Sequence, residues 1–174
     1  MKWKKKFLSL AAACLFCIPS VFAQGVLEEN QLSLGGIEIG ASKGYVHTIY
    51  GEPDSMKTNY TDTPYGTTRI DHIENYGNSV SIDYFGIVGR YPITDSSKVF
   101  SIKVTANNGW ATEQGVAVGM DESKVREIYG NRFSKFVDED GITCYDYSAN
   151  HSPMGYAFGI KNHKVVFILM SAGE

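Results

Sequence analysis

Cysteine is rare in this 174-residue chain, which contains only three. Cys14 and Cys17 lie in an N-terminal segment that we expect to be removed, so Cys144 is the single thiol of the expected mature protein. A single thiol cannot form an internal disulfide, and the fold therefore has to be stabilised by packing. We interpret Cys144, within the strand-like sequence GITCYDY, as a small half-buried apolar residue rather than a reactive thiol.

A hydrophobic run long enough to cross a bilayer is also missing. The apolar stretch at 7–18 is shorter than the roughly 20 residues of a membrane-spanning helix. It follows a lysine-rich start and precedes a Val-Phe-Ala sequence at 21–23, which is the order of elements in a secretory signal peptide. We therefore predict a signal peptide at 1–23 and an exported protein, either periplasmic (cell-envelope) or secreted. A retained N-terminal anchor and a lipoprotein acylated at Cys14 are the alternatives.

Basic residues are too few after residue 23 to indicate a nucleic-acid partner. Four lysines belong to the predicted signal, which leaves 12 of the 16 basic residues against all 19 acidic ones and a formal charge of −7. Binding to nucleic acid requires a basic face that displaces counterions from the phosphates. Docking on anionic lipid requires a positive surface for the same reason. We expect neither a nucleic-acid partner nor an integral membrane span after signal removal.

Catalytic and metal-binding motifs are absent from the expected mature chain, which has no G-x-S-x-G, H-E-x-x-H, P-loop or C-x-x-C sequence. No two histidines have the i+2 to i+4 spacing that directs two ligands at one metal, and we interpret His47, His151 and His163 as solvated. A Cys144–His72 pair is conceivable, but nothing nearby in the sequence activates the thiol. We therefore predict a protein that is not an enzyme and has no catalytic residues, metal or cofactor.

A repeated motif is the most specific feature that the sequence does contain. IEIGASKGYVHTIYGEP at 37–53 and VAVGMDESKVREIYGNR at 116–132 share their Gly, Val and Ile-Tyr-Gly positions at a spacing of 79 residues. In each copy, Val and Ile three positions apart predict the apolar side of a short helix. A capping Ser or Asp precedes this pattern and a glycine follows it. We therefore predict equivalent helices at Lys43–Tyr50 and Glu122–Tyr129.

Strand patterns follow both predicted helices, and the first half carries a long insertion at 86–97. Apolar alternation and turn signals predict four strands per half, at 55–61, 67–76, 79–85, 99–105, 132–138, 142–147, 154–160 and 164–170.

The predicted fold class is therefore α+β, with two tandem modules that each pack a short helical segment on a three- to four-stranded antiparallel sheet. The modules would occupy 32–106 and 116–174, with a linker at 107–115. Their sheets could join edge to edge or pack through one face. We favour a continuous concave sheet with both helices on its back.

The repeat resembles that of the β-lactamase inhibitory proteins, and it is also similar to the module of the outer-membrane assembly lipoprotein BamE (SmpA). The resemblance implies either a concave protein-binding face, as in the tandem inhibitors, or a role in envelope assembly. The chain departs from the inhibitors because it lacks a proline after Gly130 and lacks disulfides. The matching positions are Ile37, Ile39, Gly40, Ser42, Val46, Ile49, Tyr50, Gly51 and Pro53, then Val116, Val118, Gly119, Val125, Ile128, Tyr129 and Gly130.

Tyrosine is abundant, with eleven residues that all follow the predicted signal. Its large area, polar tip and few rotatable bonds suit protein recognition. The alternative is that these side chains complete the buried sides of the sheets and that Trp110 fills the space between the halves. We predict a protein-binding surface formed by Tyr76, Tyr84, Trp110, Tyr145, Tyr147 and Tyr156, with the loop at 90–92 as a lesser contributor.

These features together predict an exported, non-catalytic protein-binding module, which could act as an inhibitor-like binder through a tyrosine-rich concave sheet. The alternative function is a cell-envelope assembly or scaffold protein similar to the BamE module. The partner is expected to be another protein, whose identity the sequence does not indicate.

Overall fold

The computed structural model describes residues 27–173. The predicted signal peptide at 1–23 lies outside these residues. A single turn of 3-10 helix at Glu29–Gln31 comes first, and the two α-helices are α1 (Lys43–Tyr50) and α2 (Glu122–Tyr129). The strands are β1 (Ser33–Leu34), β2 (Ile37–Glu38), β3 (Ser55–Asp62), β4 (Thr68–Tyr76), β5 (Val80–Ile87), β6 (Val99–Val104), β7 (Ser134–Val137), β8 (Thr143–Ser148), β9 (Gly155–Lys161) and β10 (Lys164–Ser171).

Both predicted helices are confirmed at their predicted bounds, and their ends follow from local chemistry. The Ser42 hydroxyl accepts a hydrogen bond from the Tyr45 amide at 3.2 Å and so caps the start of α1. Gly51 and Gly130 follow the two helices with φ angles of 78° and 81°, a backbone conformation that favours glycine. The shared Ile-Tyr-Gly sequence therefore marks the end of a helix in each half.

Eight strands form one antiparallel sheet in the order β3-β4-β5-β6-β10-β9-β8-β7, and β1 and β2 form a separate pair. The described part of the chain is mostly β, with α-helix only in two segments of eight residues each. The predicted fold class, α+β with two tandem modules that each pack a short helical segment on a three- to four-stranded antiparallel sheet, is therefore wrong, because strands dominate and eight of them form a single sheet. Within that prediction, the favoured edge-to-edge arrangement of the strands agrees with the single observed sheet.

The pairing of β6 with β10 explains why the halves do not form separate sheets. Val104 lies opposite Ile168, and Ile102 lies opposite Met170, and all four side chains are buried. Each half alone would expose a long apolar edge strand, and pairing the two strands removes both exposed edges. One core therefore runs through both halves.

That core lies on a single side of the large sheet. Val46 of α1 and Val125 of α2 are fully buried in it. The β1–β2 hairpin contributes Leu34 and Ile37 to the same cluster. We call this side of the sheet the core face, and the side that points away from the helices the open face.

Candidate functional site

Five of the six residues predicted to form the binding surface are buried in the core. Tyr84 and Tyr156 are completely inaccessible, and Trp110, Tyr145 and Tyr147 are at most 8% exposed. Tyr76 is half-buried and packs against the same cluster. The prediction of an exposed surface at these six positions is therefore wrong. The tyrosines lie on the core face of the sheet, and Trp110 belongs to the same buried cluster.

Two of the buried tyrosines, Tyr147 and Tyr156, hydrogen-bond to backbone groups of the segments above the sheet. The Tyr147 hydroxyl donates to the Gly130 carbonyl at 2.9 Å and so anchors the end of α2. The Tyr156 hydroxyl accepts from the Ser33 amide at 2.9 Å and lies 2.8 Å from the Ser33 carbonyl. Trp110 stacks on Tyr50 with ring centroids 4.6 Å apart. These hydrogen bonds explain why tyrosine, rather than phenylalanine, occupies core positions 147 and 156.

The open face carries a different set of side chains, and none of them belongs to the core cluster. Because successive side chains of a strand point to opposite faces of the sheet, these residues lie on the face opposite to the buried tyrosines. Phe85 is 39% exposed and Lys103 is also exposed. The open face is formed by Arg69, Asp71, Ile73, Asp83, Phe85, Phe100, Lys103, Phe136, Cys144, Asp146, Phe167 and Leu169.

Cation–aromatic contacts organise the open face. Phe85 and Phe100 pack with centroids 5.9 Å apart, and the Arg69 guanidinium lies 5.3 Å from the first ring and 5.5 Å from the second. Lys103 lies 4.7 Å from the Phe167 ring. Such contacts are worth about 0.5–1 kcal/mol at exposed sites. They hold aromatic rings and positive charges side by side on a surface that no described helix covers.

Two carboxylates add negative charge to this surface. Asp71 receives a hydrogen bond from the Arg69 Nε at 2.6 Å. Burial and the negative charge of Asp71 raise the pKa of Asp83 to about 6, although the positive charge of Arg69 opposes the shift. The open face therefore presents aromatic, cationic and anionic groups within a few ångströms.

A groove of about 750 Å³ adjoins the open face at the start of β6. Phe85 and Phe100 form its floor, and the inserted segment forms one wall through Arg90, Tyr91 and Pro92. The loop at 90–92, which the sequence suggested as a lesser contributor, thus lies beside the exposed aromatics.

Glu74 forms a buried polar cluster that sequence reasoning missed. Its carboxylate is inaccessible to solvent and lies 3.0 Å from the Lys43 Nζ and 2.9 Å from the His47 Nε2. Burial raises the pKa of Glu74, but the hydrogen bonds and charges of His47 and Lys43 outweigh that effect and leave the pKa below its ordinary value. The His72 Nε2 lies 3.4 Å from the same carboxylate. The sequence did contain a signal for this position. Ile70, His72 and Glu74 are two residues apart in turn, so strand alternation places all three on the same side of β4.

The histidines and the cysteine that the sequence singled out differ in their exposure to solvent. His47 is largely buried against Glu74, so the prediction of a solvated side chain is wrong for this residue. His151 and His163 are exposed, as predicted. Cys144 is buried, and burial raises the pKa of its thiol. His72 lies on β4 and Cys144 on β8, with four strands between them, so the conceivable pair does not form.

No group of three His, Cys, Asp or Glu side chains within residues 27–173 could hold a metal ion. In the same part of the chain, no helix has the length and hydropathy needed to cross a bilayer.

Comparisons with known proteins leave the family open. No protein-family model and no curated protein matches the chain. Among solved structures, it is similar to a DUF4309 family protein (YjgB) from Bacillus subtilis, at 13% identity over 79% of this chain and 82% of that one, with a TM-score of 0.47. It is also similar to a cysteine-rich secretory protein (SAV1118) from Staphylococcus aureus, at 10% identity over 85% of this chain and 50% of that one, with a TM-score of 0.45. Similarity at this level indicates no function for the chain.

Proposed function

We propose that the protein is a non-catalytic binding module that recognises another protein through the open face of its eight-stranded sheet. The observation that carries this proposal is the one-sided covering of the sheet. Both helices and the β1–β2 hairpin contribute to the core face, whereas the open face keeps Phe85 and Lys103 exposed. Aromatic residues and arginine are enriched at protein interfaces and dominate their binding energy.

The resemblance of the repeat to the β-lactamase inhibitory proteins supports the same proposal. It implies that sheets from two halves form a protein-binding face. The six tyrosine and tryptophan positions are not part of the revised surface, because five of them are buried. Fold alone does not identify the partner, so we make no claim that it is a β-lactamase.

A double variant, Phe85→Ala with Lys103→Ala, tests this proposal. Both side chains are exposed, so their truncation should leave the core intact. We expect co-purification of the partner from the cells of origin to fall at least tenfold, because two contacts of about 1 kcal/mol each are lost. Tyr45→Ala with Ile49→Ala is the matched control, since these residues of α1 are 50% and 52% exposed on the opposite side. Equal loss in both variants would contradict the proposal.

We also propose that the protein is exported to the periplasm or the medium. The lysine-rich start, the apolar stretch at 7–18 and the Val-Phe-Ala sequence support this. N-terminal sequencing of the protein from fractionated cells should give Gln24 as the first residue. A product that begins at Met1 and sediments with membranes would instead favour a retained anchor.

A further inference from the structure

The insertion between β5 and β6 is longer than the fold requires, and the second half of the chain shows this directly. Residues 88–98 connect β5 to β6, whereas Asn162 and His163 alone connect the equivalent strands β9 and β10. Both connections supply a carbonyl to the first residue of a helix. The Lys43 amide donates to the Ser97 carbonyl at 2.8 Å, and the Glu122 amide donates to the His163 carbonyl at 2.9 Å. A two-residue turn is therefore sufficient for this structural role.

The additional residues form a preorganised wall. Ile87 and Tyr91 exchange two backbone hydrogen bonds of 2.9 and 2.8 Å, which fix the first part of the insertion. The Gly44 amide donates to the Asp95 carbonyl at 2.9 Å and fixes the second part to α1. Long connections without secondary structure in compact domains are commonly functional. Here the fixed wall borders an open groove of about 750 Å³, a volume within the range of small-molecule sites.

The groove is mainly apolar, and both of the charged side chains that line it are positive. Phe85, Phe100 and Pro92 are among its lining residues. The only charged side chains that line it are Arg90 and Lys98, and neither forms an ion pair with a carboxylate of residues 27–173. These two cations contrast with the chain after residue 23 as a whole, whose formal charge is −7. Charge complementarity therefore favours an occupant with an anionic group.

Three polar residues of the wall, Thr94, Ser96 and Ser97, bond to one another, which restricts the body of the occupant. The Thr94 amide donates to the Ser97 Oγ at 2.8 Å, and the Ser97 amide donates to the Thr94 carbonyl at 2.9 Å. The Thr94 and Ser96 hydroxyls also bond to each other at 2.8 Å. Because these groups already bond to one another, the wall offers a peptide backbone few partners for its own amides and carbonyls. An alkyl chain has no such requirement.

We propose that this groove binds a single-chain fatty carboxylate. The alkyl chain lies on Phe85 and Phe100, and the carboxylate lies between Arg90 and Lys98. The groove shares Phe85 and Phe100 with the open face. The inference nevertheless goes beyond the protein-binding proposal, because it depends on the insertion and requires no protein partner.

Calorimetric titration of the purified protein with dodecanoate, below its micelle concentration, tests this inference. We expect one dodecanoate per chain. Dodecanol, which has the same chain without the charge, should bind about tenfold more weakly, because charge-assisted hydrogen bonds are lost. The double variant Arg90→Gln with Lys98→Gln should weaken dodecanoate binding about tenfold and leave dodecanol binding unchanged. Lys161→Gln is the matched control, since this exposed lysine adjoins the equivalent turn of the second half.

A second variant separates the groove from general surface binding. Replacement of residues 88–98 by Asn-Gly, the sequence preferred in two-residue hairpin turns, removes the wall. This variant should lose dodecanoate binding while its circular dichroism spectrum keeps the β-sheet signal.

Absence of dodecanoate binding at about millimolar concentration would overturn the inference, as would equal affinity in the wild type and the Arg90→Gln, Lys98→Gln variant. Selective binding of an acidic, apolar peptide in place of dodecanoate would assign the groove to the protein-binding surface and would also overturn it.

Discussion

At the scale of single residues, charged side chains distinguish the two sides of the sheet. Glu74 points into the core and is stabilised there by Lys43 and His47, since an unpaired buried carboxylate would be costly. Asp83 on the next strand belongs to the open face and has a positive neighbour in Arg69 and a negative neighbour in Asp71. These two carboxylates respond to their surroundings in opposite directions, with the pKa lowered at Glu74 and raised at Asp83.

The raised pKa of Asp83 makes a pH-dependent contribution to stability. The unfolded chain releases this proton at the ordinary pKa near 3.8, whereas the folded protein holds it until about pH 6. The folded state therefore binds more protons between these values, and the free energy of unfolding falls as the pH rises through this window. The contribution is fully present below pH 3.8 and is lost above pH 6.

Asp83→Asn should remove the fall in the free energy of unfolding that accompanies ionisation of Asp83. We expect the variant to be more stable than the wild type by about 1 kcal/mol at pH 8, after a reduction for solvent screening at this partly exposed site. The advantage should disappear below about pH 4. Urea denaturation of both proteins at a series of pH values measures the difference. A constant stability difference across the series would show that Asp83 has an ordinary pKa in the folded state.

At the scale of elements, the segments above the sheet are attached by buried tyrosines. Tyr156 on β9 holds residues 31–33, which lie more than a hundred positions away in the chain. Tyr147 on β8 holds the end of α2 in the same way. Tyr147 and Tyr156, two of the six residues predicted to bind a partner, therefore join the end of α2 and residues 31–33 to the sheet.

Tyr156→Phe should destabilise the protein by about 1–2 kcal/mol, because the Ser33 amide loses its acceptor in a part-buried site. Urea denaturation should show a lower midpoint with an unchanged slope. Tyr91→Phe is the control, since Tyr91 is 56% exposed. Equal midpoints for the wild type and Tyr156→Phe would show that these hydrogen bonds do not contribute to stability.

The elements were largely predictable from local sequence, but their faces were not. The two helices and the approximate strand positions follow from the spacing of apolar residues and from glycines at helix ends. These signals are local, because each involves residues only a few positions apart in the sequence. Alternation also shows that Tyr145 and Tyr147 share one side of β8. It does not show which side the helices cover, because the other side carries the equally buried Cys144. Tyrosine is compatible with core and surface, so composition could not decide the question.

At the scale of the whole molecule, the feature that local sequence could not reveal is the β6–β10 pairing. The 59 residues at 105–163 separate these strands, and their pairing depends on the register of Val104 with Ile168. It turns two repeated halves into one sheet with a continuous open face. The insertion at 88–98 breaks the symmetry of the halves and places the groove beside this face.

The most direct test of the account is site-specific photo-cross-linking in the cells of origin. A photoreactive amino acid at Lys103 would probe the open face, and one at Lys124 of α2 would probe the opposite side. The account predicts a discrete cross-linked protein from position 103 that is lost when Phe85→Ala is added, with no such product from position 124. The same product from both positions, or a product from position 124 alone, would contradict recognition through the open face.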